Sequence, residues 1–124
     1  MSPTPFEVQD EDLEGAIRVF TVRGELDLNT APALEHPLAE ALERSDEISV
    51  LIDLSPCEFI DSTGIAVIVR AWQRLDRDAG GEGQGRLVLC CSNDQVQRIL
   101  KITGVGSSIS MQPDREAALS ELRR

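Results

Sequence analysis

Tyrosine is absent from the 124-residue sequence, which has one tryptophan, three phenylalanines, one histidine and one lysine, Lys101. An aromatic content of 3% removes the platforms on which nucleic-acid bases stack. Cations are scarce overall: 22 acidic residues face 12 basic ones, for a net charge of −10. Such a chain repels phosphate backbones and anionic lipid, so neither nucleic acid nor a membrane surface is an expected partner. No apolar run approaches the roughly 18 residues of a membrane span. Met1 to Pro5 carries neither a basic region nor an apolar run; it is expected to be a flexible N-terminus rather than a secretory signal. The three cysteines are Cys57, Cys90 and Cys91, an odd number with two adjacent in an apolar segment. That pattern excludes a disulfide framework and predicts a reducing, cytoplasmic compartment. With His36 as the one histidine, no spaced ligand set for zinc exists, and no metal or other cofactor is expected.

A hydrophobic content of 41% over this length suits one domain, residues 1–124, with one core. Phe6-Glu7-Val8 predicts the start of a short edge strand, and the acidic stretch from Glu7 to Glu14 predicts a solvated hairpin turn. Ala16 to Val22 is β-prone and pairs with that first strand. Asp27-Leu28-Asn29-Thr30 is turn-forming, with Thr30 as N-cap of a helix that buries Leu34, Leu38 and Ala41 or Leu42. Pro37 falls inside this helix, so the helix either kinks there or restarts with His36 as cap. Ile48 to Leu54 is apolar at nearly every position, as in a central strand covered on both faces.

A helix from Gly64 to Leu75 places Ile65, Ile68, Val69, Trp72 and Leu75 on one face, widened by Val67 and Ala71. Gly80 to Gly85 predicts a flexible loop. Arg86 to Cys91 is a second central strand, and Ser92 or Asn93 caps a helix ending near Gly104. Ser108 to Met111 forms a last short strand, and Pro113-Asp114 opens a helix that turns Ala118, Leu119 and Leu122 inward. The order β-β-α-β-α-β-α-β-α specifies an α/β fold: a mixed sheet with parallel central strands, an antiparallel N-terminal edge pair and about four helices.

Catalytic sets are missing. The 80–85 loop follows a helix and contains no lysine, unlike a phosphate-cradling loop. Asp53 at a strand end has no lysine on a late strand to support phosphoacceptor chemistry, since Lys101 falls in a helix. His36 has no matching nucleophile and Cys57 no activating neighbour, so the chain is not expected to be an enzyme. The most informative run is Asp61-Ser62-Thr63-Gly64, at the junction of an apolar connection and the 64–75 helix. Three of its residues are good helix caps. A helix N-terminus also accommodates a phosphate, because free N–H groups and the positive dipole end face it. Capping and phosphorylation are compatible if Asp61 or Thr63 caps while Ser62 stays accessible.

Gly24-Glu25-Leu26-Asp27, its continuation to Leu34, Phe59-Ile60-Asp61-Ser62-Thr63-Gly64-Ile65 and Ile102-Thr103-Gly104-Val105 occur in the order and spacing of one family. Together they resemble the anti-sigma factor antagonists of the STAS domain family, over about Phe6 to Leu122. The resemblance implies a single-domain STAS-like fold and partner switching. The unphosphorylated domain binds an anti-sigma factor serine kinase and releases a sigma factor. Phosphorylation of Ser62 ends that contact, and a serine phosphatase resets it. It further implies that Asp27 and Asp61 flank the acceptor, that Thr63 and Gly64 shape the helix start, and that Ile65 touches the kinase. A monomer or weak dimer is expected. The alternative within the family is a scaffold or ligand-sensing domain in a larger assembly, without phosphotransfer. Ala66, where the family often has glycine, Pro37 and the long 80–85 loop depart from the family pattern.

Overall fold

In the computed structural model, which describes residues 4–14, 16–44, 48–76 and 85–123, the acidic segment after Phe6 is not a turn but the strand β1, Glu7–Leu13. It pairs antiparallel along its whole length with β2, Ile17–Leu26. An edge strand needs one neighbour and one partly covered face. Val8 and Leu13 supply the covered positions, and Arg18 of β2 offsets Asp10 across the ladder. The remaining exposed carboxylates discourage a second sheet from adding to this edge.

From β2 the chain enters α1, Ala31–Arg44, and returns as β3, Ser49–Asp53. β4, Cys57–Ile60, leads into α2, Ser62–Leu75. β5, Leu87–Cys90, precedes α3, Asp94–Ile102, and the single-turn α4, Val105–Ser108. β6, Ser110–Gln112, and α5, Arg115–Leu122, close the described chain. Among the described residues the sheet has six strands, in the order β1-β2-β3-β5-β6, with β4 paired to β2 off that path. Every pairing except β1–β2 is parallel. The expected mixed sheet is present; β4 and α4 add to the expected element order, making five helices. Both are too short to show a period in the sequence.

The sheet is covered on both faces. Phe20, Val22, Val50, Ile52, Leu87 and Leu89 meet α1, α2 and α3 in the larger core, and Val19, Leu51, Val88 and Cys90 meet Ala118 of α5 in the smaller. This explains why β3 and β5 are apolar without alternation. α1 buries Leu34, Leu38, Ala41 and Leu42 as expected, and it runs through Pro37 without restarting. The packed apolar stripe holds the helix together across the hydrogen bond that proline cannot donate. α2 is rotated from its expected face: Gly64, Val67, Ile68, Ala71 and Leu75 are buried, while Ile65, Val69 and Trp72 are half-buried. At Gly64, which joins the buried face, a Cβ would lie 2.7 Å from Leu26 Cγ. Its absence lets the first turn of α2 settle on β2 and β4.

α5 carries an unexpected buried acid. Glu121 accepts from Arg86 Nη2 at 2.9 Å, Ser110 Oγ at 2.7 Å and Gln112 Nε2 at 2.6 Å, which ties the helix to the β5–β6 side of the sheet. Gly85 is the one described residue of the 80–85 loop; the rest of that stretch lies outside the described residues.

Candidate functional site

The site forms at the carboxyl ends of β2 and β4, where Leu26 and Ile60 are register partners. β4 presents Asp61 immediately before α2, in extended conformation with φ −109°. One carboxylate oxygen, Oδ1, accepts from the N–H groups of Thr63 at 2.9 Å and Gly64 at 3.1 Å. Asp61 is therefore the N-cap of α2, and two otherwise unpaired N–H groups of the first turn are satisfied. The other oxygen, Oδ2, accepts from the N–H of Leu28 at 3.1 Å. One side chain thus caps α2 and ties the β2–α1 turn to it.

That turn is organised by Asp27 and Thr30. Asp27 Oδ1 accepts from the N–H groups of Asn29 at 2.9 Å and Thr30 at 3.2 Å, an Asx-type turn. Thr30 was expected to cap α1. Its hydroxyl instead faces back: it donates to the Glu25 carbonyl at 2.7 Å and accepts from the Asp27 N–H at 2.9 Å. Pro32 in the first turn of α1 has no N–H to offer a cap, which removes one reason for the expected arrangement.

Ser62 is the first residue of α2 and is exposed; among the described residues its hydroxyl has no hydrogen-bond partner. The cap is made by its neighbour, so the serine carries no structural duty. Thr63 is half-buried and Gly64 buried. Ile65 is half-buried against the larger core. The structure therefore brings Asp61, Ser62, Thr63 and Gly64 together at one helix start, with Asp27 reached through the Leu28 bond.

Sequence reasoning passed over two apolar side chains at this site. Leu28 is 70% exposed and Phe59 38%; the third large exposed apolar residue among those described is Ile102. A leucine inside an Asp-Leu-Asn-Thr turn is the one local sign that an apolar group is held outward there.

What the site offers chemically is an exposed hydroxyl on Ser62 beside an Asp61 carboxylate already engaged by three N–H groups. Burial pushes the Cys57 thiol up to about 11, only partly offset by its bond to the Phe59 carbonyl, and pushes Cys90 and Cys91 up as well. These thiols are buried and protonated near neutral pH. Asp53 is occupied: it accepts from the Ser55 N–H at 2.9 Å and faces Arg115 Nε at 3.5 Å. No group of three or more metal-ligating side chains occurs among the described residues, and no helix among them is long and apolar enough to cross a membrane.

A family model described as STAS domain matches residues 8–118, spanning both the Asp27 turn and the Asp61–Ser62 junction. The chain belongs to the STAS domain family. A relative named anti-sigma-B factor antagonist, from Listeria monocytogenes serovar 1/2a, is 33% identical to this STAS domain over 106 residues, 86% of each chain. A crystal structure of an anti-sigma factor antagonist from Mycobacterium paratuberculosis matches it with TM-score 0.83 at 27% identity, covering 97% of this chain and 96% of that one. The Bacillus cell fate determinant SpoIIAA in its phosphorylated form shares the fold, with TM-score 0.69 at 19% identity, over 94% of this STAS domain and 100% of that chain.

Proposed function

We propose that this STAS domain is an anti-sigma factor antagonist that acts in the cytoplasm by partner switching. Unphosphorylated, it binds an anti-sigma factor that is also a serine kinase, and a sigma factor is released. The kinase then transfers the γ-phosphoryl group of ATP to Ser62 Oγ; the hydroxyl proton leaves to a base on the kinase, ADP departs, and the complex dissociates. A serine phosphatase restores the hydroxyl. The observation that carries this reading is the division of labour at the start of α2: Asp61 holds the cap and leaves Ser62 exposed. A phosphate can be added there without uncapping the helix. The names of the Listeria and Mycobacterium relatives support the same reading.

The energetics are sufficient. Phosphorylation adds about −1.5 to −2 charges at pH 7 next to the Asp61 carboxylate. A hundredfold loss of affinity needs about 2.7 kcal/mol, and a doubly charged group pressed against a desolvated surface supplies that. The test incubates the chain with ATP and an anti-sigma factor serine kinase, followed by mass spectrometry. One phosphate on Ser62, lost in Ser62→Ala, is expected. Pull-down of the kinase by the unmodified chain but not by Ser62→Asp is the second expected result. Equal recovery by both would remove the switch.

A further inference from the structure

We propose that Leu28 is an apolar anchor for the protein that modifies Ser62, inserting into a pocket whose floor is apolar and whose rim is cationic; this rests on the partner-switching reading above. A side chain of this size left 70% exposed keeps most of its apolar surface in water. Its backbone is nevertheless fixed, because its N–H donates to Asp61 at 3.1 Å, and Asp61 is the residue directly before Ser62. The exposed leucine is thus held on the same carboxylate that caps the acceptor helix. Phe59, 38% exposed, stands two residues before Asp61 in extended chain, within about 7 Å along the backbone. Two of the three large exposed apolar side chains among the described residues therefore belong to residues tied to Asp61, Leu28 by its hydrogen bond and Phe59 two positions along the chain.

The surroundings identify the partner's chemistry. Glu25 is the register partner of Phe59, Asp27 builds the turn that carries Leu28, and Asp61 lies between that turn and Ser62. An apolar tip ringed by carboxylates is complementary to an apolar pocket ringed by lysine or arginine, and is repelled by an acidic one. Leucine is under-represented among interface hot spots, but the well-packed, fully desolvated pocket in which hot spots cluster is the environment this anchor would need.

The experiment uses the full chain, ATP and an anti-sigma factor serine kinase that phosphorylates the wild type, and reads KM and kcat separately. Leu28→Ala is expected to raise KM roughly tenfold with little change in kcat. Leu28→Met is expected to stay near wild-type KM, and Leu28→Gln, of similar length but polar, to behave like Leu28→Ala. The Met and Gln pair keeps the comparison decisive if the truncated variant folds poorly. Wild-type KM is expected to rise with sodium chloride as the cationic rim is screened. An unchanged KM in Leu28→Gln overturns the anchor while leaving the phospho-switch standing, and a salt-independent KM overturns the cationic rim. If no anti-sigma factor kinase modifies the wild-type chain, the phospho-switch itself fails and the anchor with it.

Discussion

Removing the Asp61 carboxylate tests whether one side chain organises the site. In Asp61→Ala the N–H groups of Thr63 and Gly64 lose their acceptor, at 2.9 and 3.1 Å in the native chain, and Leu28 N–H loses its own at 3.1 Å. Loss of an N-cap costs about 1 kcal/mol. The Leu28 N–H lies at an exposed residue, so water replaces its partner and the loss there is about 0.5 kcal/mol. The sum, about 1.5 kcal/mol, corresponds to a fall in melting temperature of roughly 6 °C for a chain of this length. Asp61→Asn keeps an oxygen acceptor and loses only the charge facing the helix dipole, about 0.5 kcal/mol. Thermal and urea melts of the three proteins decide the matter. Asp61→Ala melting with the wild type would refute the cap and tie. Asp61→Asn falling as far as Asp61→Ala would show that charge, not hydrogen bonding, holds the junction.

Three further outcomes are expected. Gly85→Ala places a Cβ 1.7 Å from the Ile48 carbonyl oxygen, so it should lose at least about 2 kcal/mol in a urea melt, and a neutral result would mean that the two backbones separate freely. Pro37→Ala restores a donor inside α1 and should gain about 2 kcal/mol once the unfolded-state entropy of proline is subtracted; a destabilised variant would assign the proline ring a packing role. The Cys57 thiol is raised from 9.0 to about 11 by burial, so the folded state holds this proton more tightly than the unfolded state does. Its contribution is complete below pH 9 and is lost as pH rises toward 11, a loss on the order of 2–3 kcal/mol. Cys57→Ala should flatten that part of the stability–pH curve, and an unchanged curve would assign the loss to other groups.

Patterns that need only nearest neighbours or a helical turn were legible in the residues alone. The unbroken apolar runs at Ile48–Leu54 and Arg86–Cys91 specify covered parallel strands, and the caps at Asn93 and Asp114 lie where their residue types place them. The Asp61-Ser62-Thr63-Gly64 run marked the candidate site, with the helix cap and the exposed hydroxyl left to be divided among its members. Tertiary structure made that division, because Asp61 reaches Leu28 as well as the helix start only when β2 and β4 lie side by side. The same packing turned the acidic stretch Glu7–Leu13 into an edge strand, since a ladder partner outweighs its weak β propensity. It also rotated α2 onto Gly64, where the missing Cβ sets how closely the helix approaches the sheet. Exposure is a property of the assembled surface. The sequence determined by itself that a hydroxyl stands at a helix start on an acidic α/β domain; only the fold decided that Ser62 is free, that Asp61 is not, and that Leu28 is held in solvent beside them.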